Sequence, residues 1–526
     1  MRLFGFIILF VIMVTISPDE AYRILGVFPL LAKSHYLMCE QLMKGLAKRG
    51  HVVDVVSPFP LKKPFPNYNE IINLEGFVAG LHNNLTYDFA LSNLLDKPIV
   101  PLIATAYGND LCDLMALPEF QKLIKNQEKD SPYDLVIVEL FGANCYAALG
   151  QHFKVPVVAV VTSAIWPWVN DAVANPDNPA YVPHTLSGLD VHMNFWQRFQ
   201  NALTLLKAKF EFQYYSDKQN EQIKKYIGIH APNLDEATRN VSLLLVNSHY
   251  TLNGVRPFTM AAVEVGGLHI AETPDPLPND VQQWLDESKD GFVYISFGSM
   301  VKIESYPTKS LIALYASLAK LAPRRVLMKI SKPNELPPGL PSNVMTRPWI
   351  SQLAALRHKN IKVFVTHGGL MGTQEAIYSG VPMIGIPLFG DQTQNIQLYA
   401  EKKIAVSLDH RKLTEENLDA AFSTVLNDPT YLKTAKRLSA EFRDRPMTAM
   451  ETATFWVEYV VRHGGTNLKS PAMELTWWQI ELLDVYGALL LIIGLAVYLL
   501  TVIISKLLTI VLRTDKGNVP RSKKTK

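Results

Sequence analysis

The densest chemistry in the sequence lies within residues 364–392. The run Phe364-Val365-Thr366-His367-Gly368-Gly369-Leu370-Met371-Gly372-Thr373-Gln374-Glu375 reads as a buried strand, a glycine turn and the start of a helix. Glycine lets a backbone approach a ligand closely. The first amides of a helix have no partner inside it, so those of Gly372 and Thr373 are expected to cradle a phosphate. His367, at the strand's end, adds a side-chain donor. Glu375 can accept two hydrogen bonds from vicinal hydroxyls, as on a ribose. A second strand, residues 382–387, brings Asp391 and Gln392 to the same edge. Open α/β sheets bind ligands outside the carboxyl ends of their strands, so these side chains are candidates for one shared site. No Cys/His spacing suits zinc, no Asp-x-Asp pair is present, and neither a P-loop nor a dinucleotide glycine motif occurs.

Such a site needs elements to hold it. Apolar runs without polar alternation recur at residues 22–28, 52–56, 134–139, 155–161 and 241–247. Strands of that kind are buried on both faces, as in a parallel sheet covered by helices. A helix is expected at 34–49, and residues 196–226, rich in Phe, Tyr, Lys and Gln, read as an inserted helix packed through one face. His51, after Arg49 and Gly50, reads as a surface turn residue. Three prolines within 272–280 mark a linker. A second series follows, with strands at 291–296, 325–330, 361–365 and 382–386 and closing helices at 429–445 and 447–462. The fold class is α/β, with two doubly wound domains at 22–271 and 281–470.

The two ends are of a different kind. Met1 and Arg2 precede an uncharged run, 3–16, and then Ser17, Pro18, Asp19, Glu20 and Ala21, the pattern of a cleaved secretory signal peptide over 1–21. Residues 485–505 carry no charge and are long enough to cross a bilayer, with Trp477 and Trp478 just before them. The basic tail, 506–526, is therefore expected in the cytosol, giving a single-pass type I topology with the body in the lumen. Lys523 and Lys524 resemble a dilysine signal for return to the endoplasmic reticulum. Asn84 and Asn240 begin Asn-x-Thr and Asn-x-Ser triplets, acceptors for glycosylation. Cys39, Cys112 and Cys145 allow at most one internal disulfide, and their spacing does not choose it.

Composition agrees with this division. The 526 residues are 48% hydrophobic and 19% charged, which excludes a disordered chain, a coiled coil and a small disulfide scaffold. Residues 513–526 hold six bases and one acid, so the net charge of +3 leaves a slightly acidic body. No nucleic-acid partner is indicated.

The 364–392 stretch resembles the signature of the UDP-glycosyltransferase family. From leader to tail the chain is similar to the animal, membrane-anchored UDP-glucuronosyltransferase type in its insect form. The resemblance implies a GT-B fold, two Rossmann-like domains facing a cleft, with the acceptor on the N-terminal domain and the UDP-sugar on the C-terminal one. By position, Trp349 resembles the aromatic that stacks on uracil and Gln352 the partner of base and ribose. Ser299 resembles the loop serine near the diphosphate, and His367 with the Gly372 and Thr373 amides matches its cradle. Glu375 matches the ribose acid, and Asp391 and Gln392 the pair that holds the sugar hydroxyls. Ser351 stands where the family often has Pro, and Gly372 where Ser or Asn is common.

His35, in Lys33-Ser34-His35-Tyr36, resembles the general base. It would take the proton of an acceptor hydroxyl as that oxygen attacks the anomeric carbon, with UDP leaving from the opposite face and inversion of configuration. A pKa near neutrality suits that step. The family usually orients this base with Asp. Here Glu139 and Asn144 are the candidates; Glu139 is favoured because Asn144 cannot stabilise imidazolium as a carboxylate does. The resemblance implies no metal and no cofactor, the UDP-sugar being a co-substrate and its diphosphate being held by helix amides and His367. Acceptors would be small lipophilic hydroxyl compounds, as in detoxification. Trp166, Trp168, Phe195 and Trp196 line their pocket or fill core. Glucosyl and glucuronosyl donors stay open, as does a homo- or hetero-oligomer. The substitutions at Gly372 and at the carboxylate motivate an alternative, a catalytically silent UDP-sugar-binding partner of an active homologue.

Overall fold

The computed structural model describes residues 21–77, 85–95, 97–125, 132–185, 187–189, 191–299 and 301–517. The expected signal peptide up to residue 20, Asn84, and the end of the tail with Lys523 and Lys524 lie outside the described residues.

The first sheet is wholly parallel, in the order β3-β2-β1-β4-β5-β6-β7. Its strands are β1 (Arg23–Val27), β2 (Val52–Ser57), β3 (Tyr68–Asn73), β4 (Leu135–Glu139), β5 (Val157–Val161), β6 (Val241–Val246) and β7 (Ala262–Glu264). The second is also parallel, in the order β10-β9-β8-β11-β12-β13. It consists of β8 (Phe292–Ser296), β9 (Arg325–Lys329), β10 (Val344–Arg347), β11 (Ile361–Thr366), β12 (Met383–Gly385) and β13 (Ala405–Ser407). The central strands are fully buried, as their unbroken apolar runs require. In each sheet the order reverses beside the first strand, at β1/β4 and at β8/β11. Such a switch point opens a crevice at the carboxyl ends.

The helices that matter for the site are α1 (Lys33–Lys48), α2 (Phe195–Ser216), α3 (Leu370–Tyr378), α4 (Gln392–Glu401) and α5 (Ala449–His463). Residues 271–278, around the expected linker, hold no helix or strand.

The cores exchange elements. Helix α5 was expected to close the second series, but Ala453, Val457 and Val460 pack in the first core. Glu458 on α5 accepts from Arg49 Nη2 at 2.9 Å and lies 3.1 Å from His51 Nε2. That corrects the reading of His51 as a surface residue: it is buried, and its Nδ1 accepts the Tyr22 amide at 3.2 Å. In return, Leu85, Tyr87, Ala90 and Leu94 pack in the core of the second sheet.

Helix α2 packs inward through Leu205, Ala208 and Phe212. Trp196, Phe199, Leu203, Leu206, Phe210 and Tyr214 occupy the opposite face and are exposed. A disulfide joins Cys112 to Cys145, and Cys39 is free and buried.

Residues 470–526 form a second unit. Its main element is α6 (Leu483–Gly517), whose segment Leu483–Leu512 has a mean hydropathy of 2.8 and is unburied. Thirty residues at 1.5 Å each exceed the roughly 20 that a bilayer core needs. The apolar helix is longer at both ends than the uncharged run 485–505, because it takes in Leu483 and Asp484 before that run and continues past Lys506 after it.

Candidate active site

Adjacent strands of the first sheet supply one half of the site. His35 lies in the first turn of α1, just beyond β1. Glu139 is the last residue of β4, whose Val138 is in register with Val27 of β1. Thr162 follows β5, whose Val160 is in register with Glu139. The three side chains meet. Glu139 Oε1 is 2.7 Å from His35 Nδ1 and accepts the Thr162 hydroxyl at 2.6 Å. Thr162 Oγ1 is also 2.7 Å from His35 Nδ1. With Nδ1 held there, Nε2 is left for a substrate. Phe141 packs edge-on to the ring at 5.1 Å. Asn144 heads a short 3₁₀ turn and makes no hydrogen bond to His35 among the described residues.

Burial alone would lower the His35 pKa. The charge and hydrogen bond of Glu139, helped by the charge of Asp391, reverse this and raise it above 6.5. Asp391 belongs to the other sheet's side of the cleft, so the two halves meet electrostatically at this histidine. Burial raises the pKa of Asp391 itself, against the hydrogen bond from Asn395 and the charge of His35.

The carboxyl ends of β8, β9, β10, β11 and β12 supply the other half. A cavity of about 430 Å³ is lined by His35, Ser299, Trp349, Gln352, His367, Gly372, Glu375, Asp391 and Gln392. Nine sequence-predicted residues thus share one space, within the size range of small-molecule sites. Gly298 precedes Ser299 with φ +68°, and a Cβ there would lie 2.9 Å from the His367 ring. Only glycine allows that approach. Burial, then the charge of Lys329, lowers the His367 pKa to about 4, so the ring is neutral near pH 7, with Nδ1 buried and unpartnered. Gln352 donates to Glu375 Oε2 at 2.7 Å. Burial raises the Glu375 pKa to about 7, with Gln352 and Arg357 opposing. At Gly372 a Cβ would sit 3.1 Å from Gln352 Nε2, so the missing side chain leaves Gln352 its room. Gln392 opens α4, and its side-chain oxygen accepts the amides of Leu388 and Phe389 at 2.9 and 3.2 Å, which fixes the amide.

Thr373 does not join them. Helix α3 starts at Leu370, so the Thr373 amide donates to the Gly369 carbonyl at 3.1 Å and its hydroxyl to Leu370 O at 2.9 Å. The amides without a helical partner are those of Leu370, Met371 and Gly372. Of the two amides expected from the sequence, that of Gly372 is free of a helical partner and that of Thr373 is not, because the helix starts one or two residues earlier than that expectation requires.

The far wall of the cavity is apolar, with Leu30, Ile99, Ile103, Tyr107, Phe141 and Trp166. Trp168 stacks behind Trp166 at 5.2 Å and on Phe212 at 4.3 Å, so it is support. Phe195 and Trp196 are exposed and do not line the cavity. Among the lining residues that escaped the sequence reading, two carry chemistry used below. Thr162 is the first polar residue after the run 157–161, and Lys329 is the last residue of β9. No group of three or more His, Cys, Asp or Glu able to hold a metal occurs among the described residues. Asn240 is half-buried at the end of a short helix, and the serine of its triplet, Ser242, is buried in β6.

Comparison with known proteins agrees with this geometry. The family model described as UDP-glucoronosyl and UDP-glucosyl transferase matches residues 25–517. The chain is 38% identical to UDP-glucosyltransferase 2 of Dactylopius coccus, over 93% of each protein. It is 30% identical to UDP-glucuronosyltransferase 2B15 of Homo sapiens, over 89% of this chain and 90% of that one. Glycosyltransferase VinC, solved with dTDP, superposes with a TM-score of 0.56 at 16% identity, covering 84% of this chain and all of that one. The glycotransferase of kitacinnamycin gives 0.55 at 17% identity, over 83% and 98%. These two establish the fold, GT-B with two parallel α/β sheets. With the family match spanning residues 25–517 and these animal relatives matched over 89–93% of this chain, the chain is a UDP-glycosyltransferase of the UDP-glucuronosyl and UDP-glucosyl transferase family.

Proposed function

We propose that this enzyme transfers glucose, with inversion, from UDP-glucose to a hydroxyl of a small lipophilic acceptor. The observation that carries the reading is His35, held by Glu139 at 2.7 Å, in one cavity with Asp391. His35 Nε2 accepts the acceptor's proton while its oxygen attacks the anomeric carbon. Glu139 stabilises the imidazolium that forms. The C–O bond to the diphosphate breaks on the opposite face, with UDP held on Trp349, Gln352 and Glu375. The first amides of α3 and neutral His367 donate to the diphosphate. Asp391 and Gln392 fix the sugar hydroxyls. This path uses no metal and no cofactor beyond the donor.

Glucose is favoured over glucuronate on charge. Among the described residues, Lys33 and Lys329 are the lysines on the cavity wall, and Lys33 is paired with Glu40 at 3.5 Å. The acid at the sugar end, Asp391, would repel a sugar carboxylate. The relative at 38% identity is named a glucosyltransferase. The apolar wall suits acceptors that partition into lipid, and α6 would hold the body at such a surface. On this reading the body faces the lumen of the endoplasmic reticulum and the basic tail the cytosol. The contact between Glu139 and His35 supports turnover over a silent binding role.

The test is UDP release with a panel of phenols, using UDP-glucose and UDP-glucuronate, with His35→Ala as control. Faster release with UDP-glucose, abolished in the variant, is expected. Equal release by wild type and variant would remove His35 from the mechanism, and a preference for UDP-glucuronate would overturn the donor assignment.

A further inference from the structure

We propose that Lys329 is the cation that binds the donor's diphosphate, a role that rests on the UDP-sugar reading above. Lys329 ends β9, the strand next to β8, so its side chain rises beside the Gly298–Ser299 loop. Its Nζ donates to the Gly298 carbonyl at 2.6 Å and lies 4.5 Å from the centre of the Trp349 ring. His367 lies on the other side of Gly298, and all four residues line the cavity.

The ammonium is unusual in being under-neutralised. An ammonium has three donors, and Gly298 takes one. Among the described residues no carboxylate comes within 4.0 Å of it. Glu304 acts on it only through space. Burial therefore brings its pKa down to about 8, and its charge in turn depresses that of His367. A half-buried cation with two unused donors, on a wall that also presents the amides of α3, calls for an anion. The order along the wall selects which one. Trp349, Gln352 and Glu375 form the nucleoside end, and Asp391 and Gln392 the sugar end. Lys329 touches Trp349 and the loop before Ser299, so the anion that reaches it is the diphosphate between them. As the anomeric C–O bond breaks, negative charge grows on the UDP oxygen, and a fixed cation stabilises that charge.

The experiment uses the full-length detergent-solubilised enzyme and four ligands: uridine, UDP, UDP-glucose and UDP-glucuronate. Lys329→Gln removes the charge while keeping a donor for Gly298; Lys329→Arg restores the charge. The Gln variant should weaken UDP and UDP-glucose on the order of 10- to 100-fold, as for a lost charged hydrogen bond, and leave uridine within about twofold. The Arg variant should recover most of the affinity. An equal loss for uridine would make Lys329 a prop for Trp349, and an effect confined to UDP-glucuronate would assign it to a sugar carboxylate; either overturns the proposal. Wild-type enzyme that binds uridine no worse than UDP also overturns it, whereas binding of neither would instead defeat the donor reading. If the Gln variant does not fold, the wild type still decides. UDP-glucose binding above pH 8 should take up protons, seen by calorimetry in buffers of different ionisation heat, and Lys329→Arg should abolish the uptake. Uptake that persists in the Arg variant, or is absent from the wild type, counts against Lys329.

Discussion

Glu139→Gln isolates the charge of the carboxylate from its geometry. The amide oxygen can still accept from His35 Nδ1, now 2.7 Å from the carboxylate, and from Thr162, now at 2.6 Å. What is lost is stabilisation of the imidazolium as His35 takes the acceptor's proton. A hydrogen bond to a charged group is worth about 1.5–3 kcal/mol, and one decade of rate is about 1.4 kcal/mol, so kcat should fall roughly 10- to 150-fold. The pH profile supplies the sharper sign. A base works only when neutral, so activity disappears as pH falls through its pKa. In the wild type that limb lies above the unperturbed 6.5, because Glu139 and Asp391 outweigh burial. Without the Glu139 charge, burial regains weight and the limb moves to lower pH. The assay is initial rate against pH with UDP-glucose and one phenol at saturating donor. The donor KM should stay near its wild-type value, because Glu139 lies on the other side of the cleft from the nucleotide wall. A variant with the wild-type rate and limb, or one that loses donor KM with kcat intact, would refute the base–carboxylate assignment.

Three further outcomes are expected. Ribose hydroxyls donate to ionised Glu375, whose pKa without ligand is near 7, so UDP-glucose affinity should fall as pH drops through that value and Glu375→Gln should flatten the dependence. The diphosphate diester itself does not titrate near neutrality, so a slope that survives in the variant would exclude Glu375 as its source. Gly298→Ala adds a Cβ 2.9 Å from the His367 ring at φ +68°, and the strain of about 1–2 kcal/mol, with the displaced loop, should cost UDP-glucose affinity roughly tenfold or more, measured by titration. Alkylation of the denatured, unreduced protein should label Cys39 alone, and all three cysteines only after reduction; labelling of Cys112 without reductant would contradict the disulfide.

Legibility followed burial. The strands read from sequence are the central ones, whose apolar runs report burial on both faces. The four that escaped are at or near sheet edges: β3, β7, β10 and β13. Tyr68–Asn73 buries only Tyr68 and Ile72 and exposes Asn69, Glu70 and Asn73, and Val344–Arg347 is only half-buried, so neither shows an apolar run. Tertiary pairing, not local pattern, makes them strands. The site divides the same way. His367, Glu375, Asp391 and Gln392 were legible because short loops and helix starts after consecutive strands keep their spacing fixed. Thr162 and Lys329 were not, since each is a single polar residue at a strand's end and gains meaning only from its neighbour in the sheet. Thr162 matters because β5 lies beside β4, and Lys329 because β9 lies beside β8. His51 failed for the opposite reason. Its local signal, a glycine turn after a helix, is a true one, but Glu458 arrives 407 residues later on a helix that crosses back to the first core. Local sequence reports how a residue leaves its own element, and only the sheet order and the returning helix decide what it meets.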